Sequence, residues 1–105
     1  ENISSEIFML ERLNDIADEI ENRMIKSNAK GKTITLKIKY SDFTQQTRSK
    51  TVHHFIFKKK DFFPIVKELL YQEKIKNSVR LLGISFSNLN TTKKEPVWVQ
   101  LKFDF

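Results

Sequence analysis

Lys32 to Thr51 reads KTITLKIKYSDFTQQTRSKT, and its first half alternates strictly. Ile34, Leu36, Ile38 and Tyr40 fall on one side of an extended chain, and Thr33, Thr35, Lys37 and Lys39 on the other. A period of two belongs to a strand with one buried face. A turn follows at once, and TRSKT, Thr47 to Thr51, starts a second strand rich in hydroxyls and bases. These groups are donors suited to phosphate oxygens, and nothing in the stretch suits bond-breaking chemistry. The hairpin therefore predicts a sheet whose polar face lies on a nucleic-acid backbone.

On the N-terminal side, Ser4 and Ser5 stand where an N-cap belongs. Leu10, Leu13, Ile16, Ala17, Ile20 and Met24 then recur at helical spacing until Gly31 supplies a stop. The outer face of this helix holds Glu11, Asp15, Asp18 and Asn22, while Glu19 and Arg23 stand four apart in the favourable order. A solvated helix face accounts for these acids better than a metal or acid–base cluster does.

On the C-terminal side, Lys58, Lys59 and Lys60 precede Asp61, which has the chemistry of an N-cap. Phe62, Ile65, Val66, Leu69 and Leu70 form a second apolar stripe, and Pro64 is tolerable only in a first turn. VRLLGISFSNL, Val79 to Leu89, returns to strand composition with Leu82, Ile84 and Phe86 on one side and Gly83, Ser85 and Ser87 on the other. Small residues on that second face let a flat partner come close. Asn90 to Lys94 is a polar linker, and PVWVQLKFDF keeps Val97, Val99, Leu101, Phe103 and Phe105 in phase. The order helix, strand, strand, helix, strand, strand predicts an α+β fold, with two helices on one face of a mainly antiparallel four-stranded sheet and the other face open.

The chain has 105 residues, the size of one domain with one modest core. No cysteine is present, which removes disulfides and thiolate chemistry and fits a cytoplasmic location. No stretch reads as a secretory signal or a membrane span. The net charge of +6 is unevenly spread: residues 1–29 hold seven acids and three bases, −4, and the remainder holds 16 bases and six acids, +10. A basic body with an acidic first segment fits a polyanion approached from one side.

Other constellations carry less. His53 and His54 are strand neighbours that point to opposite faces, with no third ligand at a useful spacing. Gly31 and Gly83 are the only glycines, so there is no phosphate cradle, and no serine stands in a nucleophile setting. Phe43, Phe55, Phe57, Phe62 and Phe63 offer rings for stacking on bases, although most are better explained as core.

Three stretches, GKTITLKIKYSDFTQQTRSKT, VRLLGISFSNL and the helix of Ser5 to Ala29, together resemble the C-terminal little finger domain of Y-family DNA polymerases of the DinB type, bacterial DNA polymerase IV. The resemblance covers nearly the whole chain. It implies a DNA-binding domain over residues 1–90 of an error-prone, lesion-bypass enzyme, with a linker and tail over 91–105. Such a sheet spans the major groove and grips both backbones of template-primer duplex DNA without reading bases. Carried onto this chain, the phosphate contacts fall on Arg48, Ser49 and Lys50 first, with Thr47 and Thr51 beside them, then Lys37, Lys39 and Arg80, whose side depends on register.

The resemblance also implies one strand before the first helix, and this chain begins after it. An edge left open in that way would accept another copy or the C-terminal segment. Catalytic carboxylates and their Mg2+ ions are expected in the parent polymerase and not in these residues, so no cofactor and no catalytic residue are assigned here. The tail QLKFDF resembles the peptide by which bacterial polymerases bind the sliding clamp, through Gln100, Leu101, Phe103 and Phe105. The competing expectation is an ordinary edge strand. Two further readings are a protein-interaction module docked on the clamp and a free-standing RNA-binding α/β domain.

Overall fold

The computed structural model describes residues 6–72, 78–91 and 96–102. Helix α1 (Glu6–Lys26) buries Leu13, Ile16, Ala17, Ile20 and Met24 of the expected stripe, but the first buried position is Met9, and Leu10 is only partly buried. Its end differs from expectation. Asn28 takes the left-handed conformation at φ 52°, Ala29 N–H donates to the Met24 carbonyl at 2.9 Å, and Asn28 N–H donates to that of Ile25 at 3.1 Å. This is the paired closure of a Schellman motif, in which Asn replaces the usual glycine. Gly31 is needed for another reason: a Cβ there would stand 2.9 Å from Phe86 Cδ1 and 3.1 Å from the Ser87 carbonyl.

Strands β1 (Gly31–Tyr40) and β2 (Gln45–Ile56) form the hairpin, helix α2 (Lys59–Tyr71) follows, and β3 (Val79–Leu89) and β4 (Val97–Lys102) complete the sheet. Its order is β2-β1-β3-β4 and every pairing is antiparallel. This is the expected α+β class, with both helices on one face. Ile34, Leu36, Ile38, Leu82, Ile84 and Phe86 meet the helices, and Phe62 of α2 meets Phe86 edge-on, with ring centroids 5.1 Å apart.

The start of α2 corrects two expectations. The N-cap position is Lys58 and not Asp61, which lies inside the first turn, and Pro64 lies inside the helix beyond that turn. No side chain of Lys58 caps the helix. Glu21 of α1 does so instead, accepting from Lys59 N–H at 2.8 Å, while Asp18 accepts from Lys59 Nζ at 2.8 Å. Part of the acidic face of α1 therefore docks α2 rather than only facing water. The expected cap at Ser4 and Ser5 lies outside the described residues.

Candidate nucleic-acid interface

The uncovered face of the sheet follows from the register. Thr51, Thr33 and Ser87 form one row; Ser49, Thr35, Ser85 and Trp98 the next; Thr47, Lys37, Gly83 and Gln100 a third; and Gln45, Lys39, Leu81 and Lys102 a fourth. None of the four strands contains an Asp or Glu, so negative charge among the described residues is confined to the helices and the turn at Asp42. At the usual strand spacing the face is about 14 Å across, comparable with the ~12 Å width of a B-DNA major groove.

The hydroxyls on this face are organised. Asn88 Nδ2 donates to Thr33 Oγ1 at 2.6 Å, Thr33 and Thr51 share a hydrogen bond of 2.9 Å, and Thr35 and Ser49 share one of 2.8 Å. In each shared pair one hydroxyl uses its proton on the other, which leaves the second proton free for an outside acceptor. Because Asn88 already donates to Thr33, a proton passed from Thr33 to Thr51 leaves the Thr51 O–H pointing onward. Lys37 Nζ donates to Gln100 Oε1 at 3.2 Å and lies 5.5 Å from the Trp98 ring centroid.

The expected phosphate-binding residues divide by strand parity. Thr47, Ser49, Thr51, Lys37 and Lys39 lie on the open face. Arg48 does not. It points into the helical layer with 5% of its surface exposed, and Nη1 donates to the carbonyls of Leu69 and Leu70 at 2.8 and 2.9 Å. Nη2 donates to Gln46 Oε1 at 2.8 Å. The expectation that Arg48 leads the phosphate contacts is thereby corrected. Lys50 lies on the same side and holds Glu68 of α2 at 2.9 Å. Within TRSKT a period of two sends the two bases to the face opposite the hydroxyls, a division that residue type alone does not show.

Arg80 reaches the open face by a different route. Strict alternation from Leu82, Ile84 and Phe86 would turn it inward. The register shifts between Lys39 and Tyr40, however, so that Lys39 faces Leu81 while Tyr40 faces Val79, leaving Arg80 as the additional residue. A bulge of this kind re-aims a side chain. Arg80 then joins Lys39, Phe43, Leu81, Gln100 and Lys102 around a concavity of about 340 Å³.

Of the tail residues, Gln100 and Leu101 lie within β4, paired with Gly83 and Leu82 of β3, while Phe103 and Phe105 lie outside the described residues. Residues 97–102 thus lie along the edge of β3. Trp98, Gln100 and Lys102 consequently join the open face. The alternation of Val97, Val99 and Leu101 was the signal for them as surface residues, but nothing in it tied them to this face. A larger cavity of about 480 Å³ on the helical side is lined by Ile7, Leu10 and Phe63 together with Glu11, Arg12 and Lys67, a mixture of charges that favours no single ligand. Among the described residues no three His, Asp or Glu side chains are grouped to hold a metal ion.

The fold and this face define a two-layer α+β domain with one helical side and one basic, carboxylate-free sheet side. The chain belongs to the impB/mucB/samB family C-terminal domain, whose sequence pattern matches residues 1–102. It is 42% identical over 97 residues to a DNA polymerase IV of Clostridium perfringens, covering 91% of this chain and 27% of that protein. It is 32% identical over 102 residues to a DNA polymerase IV of Akkermansia muciniphila, covering 96% and 28% respectively. A DNA polymerase IV of Leptospira interrogans is 40% identical over 96 residues, covering 84% and 26%. The chain thus spans about a quarter of the length of these relatives, and the resemblance to the DinB-type little finger holds.

Proposed function

We propose that this chain is the duplex-gripping domain of a lesion-bypass DNA polymerase, holding template-primer DNA through its phosphates without regard to sequence. The observation that supports it best is the open face itself, with four rows of hydroxyl, amide and ammonium donors and no carboxylate among them. Such donors position a duplex but do not distinguish one base pair from another. In this proposal, Mg2+-dependent DNA synthesis belongs to other parts of the parent enzyme, and these residues contribute binding alone.

Affinity for duplexes of unrelated sequence, measured from 50 to 200 mM salt, tests the proposal. With about four phosphate contacts it falls by roughly two orders of magnitude over that range, equally for each sequence. Absence of binding at 50 mM, or binding indifferent to salt, overturns it. Tighter binding to single-stranded RNA than to duplex DNA favours an RNA-binding domain instead.

A further inference from the structure

The concavity beside Arg80 adds something that backbone gripping does not use. Phe43 stands at the tip of the β1–β2 hairpin with 64% of its surface exposed and φ at 70°, a left-handed conformation that bulky side chains seldom adopt. The turn holds it there. Phe43 N–H donates to the Tyr40 carbonyl at 2.9 Å, and Asp42 Oδ1 accepts from Thr44 N–H at 3.0 Å and Thr44 Oγ1 at 2.6 Å. The ring takes no part in the core, yet two cations attend it: Arg80 Cζ lies 4.7 Å and Lys39 Nζ 5.8 Å from its centroid. Lys102 adds a third positive charge, and the lining of the concavity includes no carboxylate.

We propose that this concavity is a subsite for single-stranded DNA, stacking one unpaired base on Phe43 and holding its phosphate with Arg80, Lys39 and Lys102. Paired bases inside a duplex offer no free ring face, whereas an unpaired base does, and base–aromatic stacking beside cations is the usual means of holding single strands. The position suits this role. The site lies at the hairpin end of the open face, next to the row of Gln45, Lys39, Leu81 and Lys102, so a strand continuing past the end of a bound duplex arrives there. The inference rests on the proposed duplex binding only for that approach.

The test compares, at fixed low salt, a blunt duplex with the same duplex carrying a five-nucleotide extension, on each strand in turn, and the extension alone. One of the extensions strengthens binding at least about fivefold, the lower end of one base–aromatic stack. Phe43→Ala removes that gain and leaves blunt-duplex affinity within about twofold, while Phe43→Tyr retains it. Because Phe43 is exposed, its replacement does not threaten the fold. No gain from either extension, a gain that survives Phe43→Ala, or an equal loss for blunt duplex overturns the subsite. If the blunt duplex fails to bind but the single strand binds in a Phe43-dependent way, the subsite stands and the duplex proposal falls. If neither binds, both fall.

Discussion

Arg48 Nη1 donates to the Leu69 carbonyl at 2.8 Å, across the layer boundary from β2 to the last turn of α2. That helix has no basic residue of its own in its last turn, so the cation that favours a helix C-terminus is supplied by a strand. The same nitrogen also reaches the Leu70 carbonyl at 2.9 Å, so it serves two carbonyls of the last turn, that of Leu69 being shared with Gln72 N–H at 3.4 Å; Gln46, which also accepts from Tyr40 O–H at 3.1 Å, fixes the other arm of the guanidinium.

Arg48→Ala should therefore lower stability by about 2–4 kcal/mol, through the lost buried hydrogen bonds to the two carbonyls and lost packing. Urea unfolding checks this as a fall in the midpoint with little change in slope. Lysine should not restore the loss, since one ammonium cannot reproduce the two-armed geometry. Duplex affinity, measured where the variant is folded, should change little. A collapse of affinity with an unchanged midpoint would return Arg48 to the phosphate-binding set.

Lys37 and Lys39 carry the opposite expectation. Each stands on the open face, so Lys37→Ala and Lys39→Ala should each reduce the salt slope of duplex binding by about 0.9, the contribution of one neutralised phosphate. Lys50→Ala, which breaks an exposed ion pair with Glu68, should leave the slope nearly unchanged and cost at most about 1 kcal/mol of stability. Equal slopes for all three variants would mean that strand parity does not divide contact residues from packing residues.

Much of this was legible in the sequence, because alternation in β1 and β3 and the two helical stripes each record burial residue by residue. What alternation cannot record is a break in itself. Arg80 faces outward only because the β1–β3 register shifts beside it, a property of two strands that neither states alone. Arg48 failed for another reason: residue type suggested a phosphate ligand, while its buried partners are backbone carbonyls, which have no sequence signature. Gly31 likewise resembles a helix stop, and its need becomes apparent only from the ring of Phe86, far along the chain.

Gly31→Ala should destabilise the domain by about 1–3 kcal/mol, because the added methyl stands within contact of Phe86 Cδ1, Leu89 Cδ2 and the Ser87 carbonyl, and the backbone carbonyl cannot turn aside. Thermal unfolding checks this. Pairing it with Phe86→Leu should recover part of the loss if the Phe86 ring is the main obstruction, giving a non-additive double mutant. Strict additivity would place the conflict with the backbone carbonyl instead.

Gly83 separates the needs of the fold from those of a partner. A Cβ there finds its nearest neighbours at 3.4 Å, the Val99 carbonyl, and 3.6 Å, Gln100 Cβ and Cγ, so the sheet itself has room for a methyl group. Its backbone φ is not in the left-handed region, and replacing glycine in a strand reduces the entropy lost on folding. Gly83→Ala should accordingly match or exceed the parent chain in thermal stability, by up to about 1 kcal/mol, whereas Gly83→Val must also displace the Lys37–Gln100 hydrogen bond that spans the glycine and should gain less. Both add bulk to the row that holds Thr47, Lys37 and Gln100, and the larger valine should hold a flat partner off that row. Duplex affinity at low salt should then fall in the order glycine, alanine, valine, by about tenfold at valine if one or two phosphate contacts are lost. A stable valine variant with undiminished affinity would show that the duplex does not approach the middle of the face, and would move the contact to its rim.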